Sequence, residues 1–125
     1  MDEAGRGRVA DCRVRAATDL LAHTWDPVVL AALQAGPRRR SALRTGIGGI
    51  SDKALTAALA RLHRRGLIER RRYAEAPPRV DYALTALGRG LVDGPLRALA
   101  AWAHEHGDAL LAAESALLAA EAQEA

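Results

Sequence analysis

Phenylalanine is absent from this 125-residue chain, and Trp25, Tyr73, Tyr82 and Trp102 are its only aromatic residues. So few rings argue against recognition of single-stranded nucleic acid, which depends on stacking bases against aromatic side chains. Cysteine occurs once, as Cys12, so no internal disulfide can form. That fits a reducing cytoplasm. Lysine also occurs once, at Lys53. No apolar run approaches the roughly 18 residues that a membrane span requires. The first ten residues carry Asp2, Glu3, Arg6 and Arg8 and lack an apolar stretch, so no signal peptide is expected. The length suits one domain whose core buries roughly two-thirds of the unfolded surface. It is too short for most barrel enzymes and for paired nucleotide-binding halves.

What the chain does contain is alanine, leucine and arginine: 29, 18 and 17 residues respectively. With 50% hydrophobic residues it is too apolar for a disordered protein. Its net charge of +3 conceals an asymmetry. Residues 38–79 hold eleven Arg and Lys53 against Asp52, Glu69 and Glu75, a net +9. Residues 94–125 hold Arg97 against five acidic residues, a net −4. A basic block within an otherwise balanced domain is the electrostatic footprint of a nucleic-acid binder. Composition alone also allows a solvated arginine-rich surface.

The order of elements narrows the choice. Arg13 to His23 reads as a helix, with Asp11 as its cap and Val14, Ala17 and Leu21 on one stripe. Asp26-Pro27 reads as the start of a second helix, Asp26 capping it and Gly36-Pro37 ending it. Ser41 can cap a short third helix. Gly46-Ile47-Gly48-Gly49-Ile50 reads as a turn whose two Ile enter the core. Ser51 then caps the clearest helix, which runs to Arg65 with Gly66 as a left-handed terminator. Leu67–Tyr73 and Arg79–Leu84 read as strands joined by a turn stiffened by Pro77 and Pro78. In the second strand Val80, Tyr82 and Leu84 share one face, and Arg79, Asp81 and Ala83 the other. Thr85 caps a long helix with Leu87, Leu91, Leu99 and Trp102 on its apolar side. Gly94-Pro95 should kink that helix. Gly107-Asp108 reads as a break or a re-cap, and the Ala/Leu helix from Ala109 to Ala122 either continues the long helix or forms a separate one. The expected fold is therefore mainly α with a small β-hairpin: a winged helix-turn-helix with flanking N- and C-terminal helices.

On the helix from Ser51 to Arg65, Leu55, Leu59 and Leu62 form a buried stripe. The opposite face collects Lys53, Ala57, Ala60, Arg61 and Arg64, with Thr56 at its edge. Small side chains let such a helix approach base edges in a major groove, where Arg or Lys donates to guanine. Ser51, Lys53, Thr56 and Ala57 lie near its N-terminal end, the part that reaches bases. Arg61 and Arg64 are expected on phosphates, as are Arg38, Arg39 and Arg40 at the start of the helix-turn-helix. The hairpin adds Arg70, Arg71, Arg72 and Arg79, placed to reach a minor groove or the backbone. An edge strand protected by charge is the plain alternative for the hairpin.

Several stretches together resemble the HxlR-type transcriptional regulators: Trp25-Asp26-Pro27-Val28-Val29-Leu30, Gly36-Pro37-Arg38-Arg39, Gly49-Ile50-Ser51-Asp52-Lys53-Ala54-Leu55-Thr56, Gly66-Leu67-Ile68-Glu69-Arg70, Pro77 to Thr85, and Leu87-Gly88. The resemblance covers about residues 12–106. It implies a bacterial, cytoplasmic, nucleoid-associated homodimer that binds a palindromic double-stranded DNA operator, as a repressor, through a winged helix. It further implies that the first and C-terminal helices form the dimer interface. Residues 1–11 would be an N-terminal arm, 12–106 the winged domain, and 107–125 a helical extension that the family pattern lacks. Thr24 stands where a basic residue commonly precedes the Trp. Cys12 matches a cysteine that some relatives use to sense oxidants or electrophiles. Arg13 and Arg15 would favour its thiolate.

No catalytic set can be assembled, so an enzyme is not expected. Nor is a cofactor or a metal site. His23, His63, His104 and His106 are scattered, and Gly46-Ile47-Gly48-Gly49 lacks the setting of a phosphate loop. Trp25 and Trp102 read as core or interface anchors, or as walls of an effector pocket. Two alternatives remain open: a MarR- or PadR-like repressor responding to a small molecule, and a winged-helix adaptor that binds protein rather than DNA.

Overall fold

The computed structural model describes residues 11–124. Of the expected N-terminal arm only Asp11 falls among them. The elements run α1 (Cys12–Asp19), α2 (Trp25–Ala32), β1 (Arg38–Arg39), α3 (Arg40–Ile47), α4 (Asp52–Arg64), β2 (Ile68–Tyr73), β3 (Arg79–Leu84), α5 (Ala86–Leu91), a π-helical turn (Val92–Leu96) and α6 (Arg97–Glu124). They form two compact units that meet in the chain at Gly90–Leu91.

The first unit is the winged helix-turn-helix, and its core is leucine-rich. Val29, Leu30 and Leu33 come from α2 and its end, Leu43 from α3, and Leu55, Ala58, Leu59 and Leu62 from α4. Leu67, Ile68 and Ala83 close it from the sheet. α2 packs against both α3 and α4. Of the two turn isoleucines, Ile50 is buried and Ile47 half-buried.

Capping explains where α1 and α4 begin and where α4 ends. Asp11 caps α1, its side chain accepting from the Arg13 N–H at 2.8 Å. Ser51 caps α4, its hydroxyl accepting from the Ala54 N–H at 3.0 Å. Gly66 ends that helix at φ +75°. Its N–H donates to the His63 carbonyl, and that of Leu67 to the Leu62 carbonyl. This pair of bonds satisfies carbonyls the helix would leave open.

Two expected caps are displaced. Asp26 lies inside the first turn of α2 rather than at its cap, because its carboxylate is engaged elsewhere in the core. Ser41 lies inside α3, whose N-cap is Arg39 with no side-chain bond. α1 also stops at Asp19, short of His23, and buries none of its residues.

The sheet has three antiparallel strands rather than the expected two, in the order β1-β3-β2. Arg38 and Arg39 add the third by pairing with Tyr82 and Asp81. On β3 the inward residues are Asp81 and Ala83, together with Leu84 at the strand's end, while Val80 is exposed. β3 is tied to the start of β2 by Thr85. Its N–H donates to the Leu67 carbonyl, and its hydroxyl donates to that of Gly66 while accepting from the Gly88 N–H. Gly88 packs directly against Leu67, and a Cβ there would strike the Leu67 carbonyl oxygen.

The second unit is helical. The expected kink at Gly94-Pro95 is a π-helical turn with Pro95 inside it. A widened turn accommodates a residue that has no N–H and crowds the preceding carbonyl. At Gly107-Asp108, where the sequence allowed either a break or a continuous helix, α6 passes through both residues unbroken to Glu124. Leu99, Trp102, Leu110, Leu111, Leu117 and Leu118 all lie exposed along it. Trp102 is thus no core anchor of its own chain. Its ring lies 5.2 Å from that of His106.

Candidate nucleic-acid interface

Helix α4 presents the expected face. Leu55, Leu59 and Leu62 turn inward. Ser51, Lys53, Thr56, Ala60 and Arg64 are exposed and Ala57 is half-buried. Short side chains at 57 and 60 lower the ridge of the helix between Lys53 and Arg64, so its backbone can come close to a partner.

Arg61 departs from this face. Its guanidinium grips the carboxylate of Asp26, which is fully buried. Nε stands 3.0 Å from Oδ2, and Nη2 2.7 Å from Oδ1. These charge-assisted bonds, and the Asp26 charge, hold the Arg61 pKa above its ordinary value despite partial burial. Arg61 is half-buried on the flank of α4, where its long side chain reaches the Asp26 carboxylate and neutralises a charge that could not stay buried alone.

The arginines before α4 are divided in the same manner. Arg38 is half-buried in β1, with its guanidinium beside Gly46. Arg39 is exposed. Arg40 is half-buried and donates to both the backbone and the side chain of Asp52. Arg44, not singled out from the sequence, binds the other oxygen of the same carboxylate. The four-residue spacing of Arg40 and Arg44 was a usable signal, since it sets both on one side of α3.

Strand register sorts the arginines of the wing. Cross-strand pairs share a face, and residues two apart along a strand share it too. Arg70 is opposite Tyr82, and Arg72 opposite Val80. These four occupy one face. Arg71 is opposite Asp81, and Tyr73 opposite Arg79, on the other. Arg71 is bound to Glu69 at 2.9 Å, which raises its pKa. Arg79 lies over the Tyr73 ring at 4.6 Å and bonds Asp81 at 3.3 Å. Its Nε is buried without a hydrogen-bond partner among the described residues.

The face with Arg70 adjoins α4. Between them lies an open cleft of about 380 Å³, lined by Arg40, Thr56, Ala60, Arg64, Arg70 and Tyr82 over Leu59 and His63. The cleft thus brings Arg64 of α4 and Arg70 of the wing to one side of the domain, with Arg72 on the same face of the strand. Tyr82 and His63 were not expected from the sequence and are found only by this juxtaposition.

Cys12 is exposed at the first turn of α1, and among the described residues it has no cysteine partner. No three His, Cys, Asp or Glu side chains among the described residues gather as metal ligands would. Among the described residues no helix is long and apolar enough to cross a membrane.

Comparison with known proteins places this architecture. A family model for the HxlR-like helix-turn-helix matches residues 20–110. An uncharacterized HTH-type transcriptional regulator of Synechocystis sp. is 44% identical over 78 residues, covering 62% of this chain and 58% of that protein. Another, from Methanothermobacter thermautotrophicus, is 36% identical over 96 residues, covering 77% and 72%. The chain spans about three-fifths of the length of the first of these relatives. Among solved structures, the reduced form of the transcriptional regulator YodB from B. subtilis superposes with a TM-score of 0.68 at 30% identity. The match covers 74% of this chain and 89% of that one. These relatives are regulators rather than enzymes.

Proposed function

The chain belongs to the HxlR-like helix-turn-helix family, and from that premise we propose that it is a transcriptional regulator that binds double-stranded DNA as a homodimer on a palindromic operator. One observation carries this reading. The outer face of α4 bears Lys53, Thr56, Ala57, Ala60 and Arg64 without a free carboxylate, and the wing sets Arg70 beside it across a cleft. Such a face suits a major groove, and the adjoining arginines suit the phosphates that flank it.

Ser51, Lys53, Thr56 and Ala57 are assigned to base edges. Arg39, Arg64, Arg70 and Arg72 are assigned to the backbone, with Arg38 near it. Arg61 is assigned to the core, where it balances Asp26. Arg79 is assigned to the brace of the wing through Tyr73 and Asp81. The exposed apolar residues of α1 (Val14) and of α6 support association with a second copy. Two recognition helices about 34 Å apart would then read successive major grooves on one side of the duplex. A cytoplasmic, nucleoid-associated location and a repressing role belong to the same proposal.

Binding to a random-sequence duplex, titrated against salt, tests this directly. A DNA reader loses affinity steeply as salt rises, because phosphate contacts release counterions. A protein–protein adaptor would bind such DNA weakly at any salt, and that outcome would overturn the reading.

The exposure of Cys12 favours one addition, a thiol that responds to oxidants or electrophiles. YodB, the neighbour of known structure, is described in a reduced form. Mild oxidation followed by a non-reducing gel should show a covalent dimer or an adduct. If Cys12 remains a free thiol, the sensing role is lost while the DNA-binding role stands.

A further inference from the structure

We propose that Asp52 is a specificity-determining residue, acting by withholding Arg40 and Arg44 from the DNA backbone. This rests on the DNA-binding reading above and deepens it. Asp52 opens α4, one residue after its cap and one before Lys53. Its carboxylate is bridged from α3 on both oxygens. Arg40 Nη2 lies 3.2 Å from Oδ1 and also donates to the Asp52 backbone carbonyl at 3.0 Å. Arg44 Nη1 lies 3.0 Å from Oδ2. Two guanidinium groups sharing two anionic oxygens is the arrangement that a phosphodiester would otherwise offer them. The carboxylate therefore occupies, within the free protein, the place a DNA phosphate would take.

The chemistry of non-specific binding gives this bridge its consequence. Affinity for arbitrary DNA is set mainly by how many phosphates are neutralised, whereas choice among sequences comes from base contacts. An arginine held by Asp52 is lost to the first sum and leaves the second untouched, since Lys53, Thr56 and Ala57 lie on α4 itself. The bridge is also weak enough to matter only as a bias. The Asp52 side chain is 63% exposed, and those of Arg40 and Arg44 are 37% and 53% exposed. Solvent screens such pairs heavily, so a phosphate held in place by a correct set of base contacts can displace the carboxylate. A phosphate in a mismatched complex does so less often.

The test uses the full chain and a random-sequence duplex, with affinity followed against salt for the wild type, Asp52→Asn, Arg44→Ala and the double variant. Asp52→Asn is expected to bind non-specific DNA more tightly and to steepen the log–log salt slope by about 0.9 for each arginine released. Arg44→Ala should leave the slope of the wild type unchanged. In the Asp52→Asn background it should remove about 0.9 of the added slope. Equal effects of Arg44→Ala in both backgrounds would overturn the proposal. So would an Asp52→Asn variant that binds more tightly at an unchanged slope, since that is the mark of a distant charge effect rather than of freed contacts. Thermal melting of each variant checks that it is folded. Failure of the underlying reading is recognised separately, as a wild type whose binding to the duplex does not depend on salt.

Discussion

Arg61 of α4 holds the wholly buried carboxylate of Asp26 on α2 in a two-pronged ion pair with Nη2 2.7 Å from Oδ1. The two are 35 residues apart. The bond fixes the recognition helix to the core helix on which it rests. It also gives a basic residue of the arginine-rich segment a structural role.

Breaking that pair is therefore expected to affect folding before it affects binding. Arg61→Ala leaves a carboxylate buried with no partner, and losses of about 3–5 kcal/mol are typical of such cases. Urea unfolding should show this as a lower midpoint with an unchanged slope. The joint replacement Asp26→Leu with Arg61→Met should recover much of the loss. If Arg61→Ala instead unfolds like the wild type but binds DNA more weakly, Arg61 is a phosphate contact and the pair is incidental.

The two faces of the wing should behave differently. Arg70→Ala and Arg72→Ala are expected to flatten the salt dependence of DNA binding by about 0.9 each, equally for all sequences. Arg71→Ala, on the opposite face and paired with Glu69, should leave the slope as it is. Arg79→Ala should do likewise while loosening the wing, seen as faster proteolysis within residues 74–78. A loss of slope in Arg79→Ala would move that residue back to the backbone.

Thr56 tests base reading alone, whereas Ser51 also caps α4 and so bears on folding as well. Thr56→Ala should narrow the ratio between operator and random DNA without changing the salt slope. Ser51→Ala removes the cap of α4 and should cost about 1 kcal/mol of stability. An operator ratio that is unmoved in Thr56→Ala would exclude it from base recognition.

Two glycines of α5 offer a paired test of packing. Gly88→Ala must push a methyl into the Leu67 carbonyl and part α5 from the start of β2. A destabilisation of about 1–3 kcal/mol is expected. Gly90 faces open space, so Gly90→Ala should instead stabilise by about 0.5–1 kcal/mol through helix propensity. Equal melting temperatures for the two variants would contradict the close approach at Gly88.

Much of the domain was legible along the chain because its signals are local. Ser51 and Gly66 bracket α4, its leucines recur at helical spacing, and Pro77-Pro78 marks the turn between two strands. Where expectation failed, the deciding partner lay far off in sequence. Asp26 looks like a cap, next to Pro27, until Arg61 is brought to it. Arg38-Arg39 is too short to read as a strand and becomes one only because β3 is there to pair with it. Gly107-Asp108 left a break or a continuous helix open, and the helix continues because two poor helix formers cost little in a long run of alanine and leucine.

The sequence by itself therefore determined the order of elements, the capped recognition helix and the concentration of positive charge between residues 38 and 79. Those follow from backbone propensity and periodicity, which act over one or two turns. Tertiary structure decided which of the charges are free. It sent Arg61 to Asp26, Arg40 and Arg44 to Asp52, and Arg79 to Tyr73 and Asp81, and it left Arg64, Arg70 and Arg72 exposed. A buried or closely approached carboxylate selects its own counter-ion by distance, and distance between remote residues exists only once the chain has folded.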